Sequence, residues 1–167
     1  MDIEYFVHGG FLKCWKIVQN DVITWLHKKE WKNIVICGYS HGGALALLAH
    51  ECAWYELPHL RNEHITTIAF EAPRIYAGWR IKDEIKERWA GAYVIRNNRD
   101  IVTHMPPRAL GFSDVGEIVK VSNLDIEKIG CVKSHTPKWI CKALLSRKNK
   151  STLAFLEEKL KTTDLWK

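Results

Sequence analysis

The sequence predicts an α/β fold in which a mostly parallel sheet carries helices on both faces. Its 167 residues are the usual length of one domain, so we assign 1–167 to a single domain. Hydrophobic residues make up 47 % of the chain and charged residues 26 %, which is typical of a globular protein. Short β-rich runs alternate with amphipathic stretches, and this alternation favours parallel strands that are connected by helices.

The first half of the chain predicts two strands and two helices. A short apolar run over 3–7 predicts a strand, and apolar residues then recur every three or four positions over about 11–28, which indicates an amphipathic helix. The run 34–37 is typical of a strand that is buried on both faces. Residues 41–54 are rich in Ala and Leu and predict the second helix.

The second half continues the alternation of strands and helices. β-rich runs predict strands over 65–71, 92–96 and 117–121. Ile81, Ile85 and Trp89 share one helical face and predict a helix between the first two of these strands. The chain then ends in two predicted helices, over about 136–146 and 152–161, the second lying in a basic C-terminal helical segment, 148–167.

The composition excludes several classes of protein. No apolar run approaches the roughly 18 residues that a membrane helix needs. The N-terminus has neither the basic start nor the apolar stretch of a secretory signal, so we expect a cytoplasmic protein. Five scattered cysteines without a C-x-x-C pair argue against a disulfide framework and against a zinc site, so we expect no metal.

The positive net charge of +6 lies in the C-terminal part of the chain. Residues 128–167 contain ten Lys and Arg against three Asp and Glu, whereas residues 1–127 contain 15 against 16. Such a tail suits peripheral contact with an anionic membrane or an acidic partner, and the alternative, which is the commoner case for charged helices, is a solvated helix face. No RNA-binding aromatic motif or zinc-finger pattern accompanies it, so we expect no nucleic-acid partner.

A nucleophile elbow is predicted at Gly38–Gly43, where G-Y-S-H-G-G joins a strand to a helix. A serine on such a strained turn exposes its hydroxyl above the sheet, and Gly38 and Gly42 leave room where the helix approaches the strand. The N–H of His41 at the helix N-terminus would stabilise an oxyanion. The alternative is a glycine-rich turn in which Ser40 is an ordinary N-cap residue.

A serine nucleophile needs a base, and the base needs an acid to orient it. In α/β hydrolases with this elbow, the chain order is serine, acid, histidine. Asp100 follows the strand over 92–96, and His135 precedes a helix, where a loop can carry it over the sheet edge. His104 lies only four residues after Asp100 and would share its loop. The weaker acid candidates are Asp114, Asp125 and Glu71, and the alternative roles are a turn-forming aspartate and a helix-flanking histidine.

Several ordered blocks of the sequence resemble the class-three, fungal-type lipases of the α/β-hydrolase fold. The blocks cover nearly the whole chain, and together they are far more specific than the elbow alone. They are V-H-G-G-F at 7–11, G-Y-S-H-G-G-A-L-A at 38–46, F-E-A-P-R at 70–74, N-R-D-I-V at 98–102 followed by M-P-P at 105–107, and Ser134-His135.

The resemblance implies a compact three-layer α/β-hydrolase sandwich and a serine carboxylic-ester hydrolase that needs no cofactor. Ser40 would be the nucleophile, His135 the general base and acid, and Asp100 the residue that orients the imidazole. The substrate would be a small-molecule or lipid ester.

The sequence departs from the family pattern beside the elbow and at the end of one strand. Tyr39 and His41 replace the usual His and Leu around the serine, Thr103 replaces a proline, and Glu71 replaces a glycine. None of these changes removes a catalytic atom. Because Tyr39 flanks the nucleophile, it is a candidate for the substrate pocket. His8, Gly9 and Gly10 are further candidates, since they resemble an H-G-G oxyanion loop.

The resemblance further implies a fold that is shortened at its N-terminus, with the first oxyanion strand and the lid expected before Met1. Three hypotheses follow. The chain is a minimal esterase with a substitute donor, which favours short or medium acyl esters. Alternatively, it is a truncated hydrolase completed by a partner chain, and an exposed sheet edge would then favour a homodimer. Otherwise, it is a catalytically impaired binding module.

Overall fold

The computed structural model describes residues 5–61, 64–78, 86–97, 99–121, 130 and 134–161. Within these ranges the helices are α1 (Gly9–Leu26), α2 (His41–Glu56), α3 (Pro137–Leu144) and α4 (Lys150–Lys161). The strands are β1 (Phe6–Val7), β2 (Ile34–Tyr39), β3 (Ile65–Phe70), β4 (Tyr76–Ala77), β5 (Ala92–Asn97), β6 (Phe112–Ser113) and β7 (Glu117–Val121).

A parallel sheet with the strand order β2-β3-β5-β7 forms the centre of the structure. Tyr39 of β2 pairs with Phe70 of β3, which in turn pairs with Ile95 of β5. The carboxyl ends of these three strands therefore lie side by side, and the loops that follow them meet at one edge. Among the described residues, no strand pairs with the outer side of β2, so the strand that carries the elbow is an edge strand.

Helices cover both faces of this sheet, as the sequence predicts. Ala69 of β3 lies in a buried cluster with Trp15 of α1 and Leu47 of α2. Its neighbour Ile68 points to the other face and packs with Ile140 of α3 and with residues of α4. Each large apolar side chain that is buried in this way contributes roughly 1.5–3 kcal/mol to folding.

The strand predicted over 3–7 pairs differently from the other predicted strands. Only Phe6–Val7 is a strand among the described residues, and it pairs antiparallel with β4 in a small sheet of order β1-β4-β6, outside the parallel sheet. The physical reason is that this strand is short and poorly buried: Phe6 is 67 % exposed, whereas nearly all of β3 is buried. Its position before α1 is nonetheless the one expected.

The remaining boundaries differ from the predictions mostly by a few residues. The exception is the helix expected around Ile81, because residues 79–85 lie outside the described part and Glu87–Trp89 forms a 3₁₀ turn. Within the predicted basic helical segment 148–167, the structure describes α4 as a helix, and residues 162–167 lie outside the described part. In the part of the chain that the structure describes, no helix has the length and apolarity of a membrane span.

Candidate active site

Ser40 sits at the tight turn between β2 and α2 with φ 54° and ψ −119°. A non-glycine residue with positive φ is strained, and such strain is typical of functional sites. The turn is held on both sides by backbone hydrogen bonds. The N–H of Ser40 donates to the carbonyl of Phe70 (2.8 Å), and the carbonyl of Ser40 accepts from the N–H of Ala44 (3.1 Å). The structure therefore has the elbow geometry that the G-x-S-x-G pattern predicts.

One glycine of the elbow is required by space, and a second, which is not the predicted one, lies at a tight position. A Cβ on Gly38 would lie 2.0 Å from the carbonyl oxygen of Gly42, so only glycine fits there. A Cβ on Gly42 itself would meet nothing within 4 Å, so the predicted steric reason for Gly42 is wrong. The second tight position is Gly43, where a Cβ would lie 3.0 Å from the Cβ of Ala72.

His135 bridges the elbow and a buried carboxyl group. Its Nε2 lies 2.6 Å from Ser40 Oγ, and its Nδ1 hydrogen-bonds to Asp100 Oδ2. The Asp100 side chain is fully buried and that of His135 is 16 % exposed. Because Nδ1 faces a carboxylate, the neutral ring carries its proton on Nδ1, and Nε2 is free to accept the serine proton. The three residues that are far apart in sequence thus form one hydrogen-bonded chain.

Short loops hold this chain of hydrogen bonds in position. Asp100 Oδ1 accepts a hydrogen bond from the N–H of Val102 (2.9 Å), which fixes the carboxylate within its own loop. Ser134 donates from Oγ to the carbonyl of Arg99 (3.2 Å) and so ties the histidine loop to the aspartate loop. These contacts orient Asp100 toward His135 before any substrate is present.

Two of the other acid and base candidates, Asp114 and His104, lie elsewhere, and Glu71 lies beside Asp100. Asp114 is hydrogen-bonded by the guanidinium groups of Arg74, Arg96 and Arg108 rather than by a histidine. His104 is exposed at the end of a 3₁₀ turn, and Asp125 lies outside the described residues. Of the weighed pairs, the described structure brings only Asp100 and His135 to Ser40.

An open, apolar cleft of about 550 Å³ begins at Ser40. His41, the first residue of α2, lies at its wall, with its ring 5.3 Å from that of Phe11. As the first helical residue, His41 has a backbone N–H without an intrahelical acceptor, which suits an oxyanion donor. The other residues that line the cleft are mostly apolar: His8, Phe11, Pro73, Ile101, Val102, Met105 and Pro106.

The predicted pocket residues are only partly found at this cleft. His8 lines it, but Gly9 and Gly10 are exposed in the first turn of α1 and are not among its walls. Tyr39 is also absent from the walls, because its ring stacks on that of His135 at 5.4 Å instead. The structure thus assigns Tyr39 to support of the histidine and leaves Met105 and its neighbours, which the pocket prediction missed, to form the cleft.

The model of the class 3 lipases matches residues 2–110, which is more than half of the chain. The chain belongs to this family. It is 29 % identical over 149 residues to a lipase from Rhizomucor miehei and 26 % identical over 144 residues to one from Rhizopus niveus. Each match covers 78 % of this chain, but only 40 % and 36 % of the two relatives, so the chain spans well under half of their length.

Solved lipase structures share the fold. The Rhizomucor miehei triacylglyceride lipase gives a TM-score of 0.59 at 26 % identity, covering 72 % of this chain and 46 % of that one. A triacylglycerol lipase whose catalytic centre is described as a serine protease triad gives 0.61 at 27 % identity, with 73 % and 47 % covered. The α/β-hydrolase fold expected for a class 3 lipase is therefore confirmed.

Glu71 is the departure from the class 3 lipase pattern with the largest electrostatic effect. It is fully buried with φ 50°, a backbone conformation that favours the glycine found there in the family pattern. Burial first and Asp100 second raise its pKa, the Asn97 N–H and the Arg96 charge lower it, and the net pKa is about 8. The sequence signals for this group are the replaced glycine and its position at the end of a predicted strand, where it is one of the weaker acid candidates.

The arginine cluster around Asp114 supports one wall of the cleft in this lipase-family chain. Arg74 donates from Nε to Asp114 (2.9 Å) and from Nη1 to the carbonyls of His104 (2.5 Å) and Pro106 (3.2 Å). It therefore fixes the loop that contains Met105. Sequence reasoning missed this role, since Asp114 was considered only as a catalytic acid.

No group of three or more His, Cys, Asp or Glu side chains among the described residues has an arrangement that could hold a metal ion. Cys14, Cys37, Cys52 and Cys141 are free thiols, and Cys131 lies outside the description.

Proposed function

We propose that this chain hydrolyses carboxylic esters through an acyl-enzyme, with Ser40 as nucleophile, His135 as general base and acid, and Asp100 as the orienting acid. The observation that carries the proposal is the bridging position of His135. Its Nε2 lies 2.6 Å from Ser40 Oγ while its Nδ1 hydrogen-bonds to Asp100. This is the arrangement by which a weak hydroxyl nucleophile is activated.

The reaction takes two steps that use the same histidine. Ser40 Oγ attacks the ester carbonyl carbon while its proton passes to His135 Nε2, and the alcohol then leaves with that proton. A water molecule attacks the acyl carbon next, its proton passes to Nε2, and the acid departs as Ser40 Oγ regains the proton. Asp100 stays ionised throughout and stabilises the imidazolium.

The N–H of His41 is the oxyanion donor that we assign. It begins α2, whose N-terminus carries partial positive charge toward the tetrahedral intermediate. One such donor is worth about 2.7–4 kcal/mol of transition-state stabilisation. The His41 side chain points along the cleft against Phe11 and is not needed for this role.

The cleft supports esters with apolar acyl groups. Its volume of about 550 Å³ lies in the usual range of small-molecule sites, and aliphatic and aromatic side chains line most of it. We therefore propose short or medium acyl esters as substrates. We also propose that the basic segment 148–167 contacts an anionic membrane, that the chain forms a homodimer, that it is cytoplasmic and that 1–167 is one domain.

The proposal is tested by hydrolysis of p-nitrophenyl esters in a series from acetyl to palmitoyl. We expect turnover to be highest for short and medium chains. Ser40→Ala should lower kcat by about 10⁶-fold, because the nucleophile is lost. Ser151→Ala, which changes an exposed serine in α4, is the matched control and should keep the wild-type rate.

Two outcomes of this assay favour the competing functions. A folded wild-type chain with no more turnover than Ser40→Ala would contradict the enzyme and favour a binding module. Turnover per chain that rises with protein concentration would favour a hydrolase completed by a second copy. The observation behind the second outcome is the outer side of β2, which no described strand covers, beside a half-buried Val35 and an exposed Cys37.

A further inference from the structure

A second buried carboxyl group lies directly behind the proposed triad and has no part in the mechanism above. Glu71 is the first residue after β3, and its backbone N–H donates to the carbonyl of Ile95 (2.8 Å). Its side chain is fully buried, and its φ of 50° is strained for a residue with a Cβ. Backbone strain and a buried acid both cost folding free energy, and strain of this kind clusters at functional sites.

The partners of Glu71 connect it to Asp100. Both of its carboxyl oxygens face the N–H of Asn97, at 3.3 and 3.1 Å, and its side chain hydrogen-bonds to that of Asp100. A hydrogen bond between two carboxyl groups requires a proton on one of them, because two carboxylates have no donor. In the dry interior, two adjacent negative charges would also repel strongly.

The other hydrogen bonds decide which of the two groups carries the proton. Asp100 accepts from the N–H of Val102 and from His135 Nδ1, so two donors stabilise its charged form. Among the described backbone groups, the donor to Glu71 is the single N–H of Asn97, which its two oxygens share. The proton therefore resides on Glu71, and Asp100 is the carboxylate.

The charges that face Glu71 agree with this assignment. Asp100 lies in the loop after β5, and Arg96 on β5 is ion-paired with Asp114 at 2.8 Å. Tyr39 on β2 has a pKa raised to about 12, chiefly by burial, so its phenol brings no charge to the pair. His135 reaches the pair through Asp100. Of these groups, Arg96 alone favours an ionised Glu71, and its positive charge is shared with Asp114, to which its Nη2 donates.

We propose that Glu71 is a positioning residue that holds a proton and donates it in a hydrogen bond to Asp100, so that a carboxylic acid–carboxylate pair orients His135. The inference rests on the proposed function, since it assigns a partner to the triad's acid. The third donor fixes the Asp100 carboxylate against rotation, and the pair carries one negative charge. Loss of the Glu71 proton would replace this hydrogen bond with repulsion and turn Asp100 away from His135.

The kinetic test is the pH profile of kcat in the wild type, in Glu71→Gln and in Glu71→Gly. We expect wild-type kcat to fall above about pH 8, where Glu71 ionises. Glu71→Gln keeps a neutral donor, so its kcat should drop by roughly three- to tenfold at neutral pH and lose this alkaline fall. Glu71→Gly has no donor, and we expect a larger drop in kcat with an unchanged KM. An alkaline fall that persists in Glu71→Gln would overturn the proposal.

An infrared measurement detects the protonated carboxyl group of the Glu71–Asp100 pair without substrate turnover. In a Ser40→Ala background, the C=O stretch of a buried protonated carboxyl group should be present at about pH 6 and lost at about pH 10, and Glu71→Gln should abolish that difference. If the band appears but the wild type hydrolyses no ester, the proposed function fails while the pair stands. If the wild type is active and the band is missing, the pair is overturned.

Discussion

Asp100 and Asp114 are two buried aspartates with opposite surroundings. Asp114 faces three guanidinium groups, from Arg74 at 2.9 Å, Arg96 at 2.8 Å and Arg108 at 2.5 Å. Asp100 faces a histidine ring, a backbone N–H and a second carboxyl group. The negative charge of Asp114 is neutralised by fixed positive charges. That of Asp100 is stabilised by hydrogen-bond donors, two of which belong to titratable side chains.

This difference separates the structural role of Asp114 from the catalytic role that we propose for Asp100. Burial by itself would raise the pKa of Asp114, yet the hydrogen bonds from Arg96 and Arg108 and the charge of Arg74 hold it well below its usual range. Asp114 therefore stays ionised and serves to hold Arg74 against the cleft loop. Beside Asp100, burial instead raises the pKa of Glu71 to about 8, and such a shift is typical of functional sites.

The largest effect is expected for Asp100→Asn. The amide cannot hold His135 in the tautomer that accepts the serine proton, so kcat for a short acyl ester should fall by about 10⁴-fold. The free energy of unfolding in urea should change by less than about 1.5 kcal/mol, because an amide oxygen can still accept from Val102. A loss of several kcal/mol in the free energy of unfolding alongside the loss of kcat would contradict the distinction between the two aspartates.

Asp114→Asn should instead have its larger effect on stability and its smaller effect on activity. It leaves Arg74 and Arg96, whose side chains are 6 % and 7 % exposed, without their counter-charge, so the unfolding free energy at pH 7 should fall by about 3–5 kcal/mol. Arg108→Ala is the control, because that side chain is 71 % exposed and its pair is worth about 1 kcal/mol or less.

The stability gap between wild type and Asp114→Asn should also depend on pH in a definite direction. A lowered pKa in the folded state means that the contribution is fully present above the unfolded pKa of about 3.9 and is lost as the pH falls toward the folded value. The gap should therefore close in acid. A gap that stays constant down to about pH 2 would show that the carboxylate charge is not what stabilises the cluster.

Much of the fold and the proximity of the three triad candidates could be predicted from the sequence. Chain order, together with strand-to-helix alternation, predicts that the loops after β2 and β5 meet at one sheet edge, and Ser40 and Asp100 are found there. His135 follows from elimination, since His104 shares the loop of Asp100. The catalytic roles of these residues stay predictions until they are tested.

The remaining features depend on tertiary contacts that cannot be inferred from the spacing of residues in the sequence. The two residues of β1 have no periodicity that could distinguish antiparallel pairing with β4 from membership in the parallel sheet. The tight approach at Gly43 depends on Ala72, which follows a different strand. The Glu71–Asp100 contact likewise joins the ends of β3 and β5, and a lone replaced glycine carries no distance information.

The most direct test of the proposed triad is the site of covalent labelling by a fluorophosphonate. After reaction at pH 7.5, chosen as about one unit above the ordinary histidine pKa, the intact chain is digested and the phosphonylated peptide is identified by mass. We expect one adduct, on Ser40, and almost none in a folded His135→Ala chain, because the serine then lacks its base. An adduct on another residue, or equal labelling of Ser40 without His135, would contradict the account.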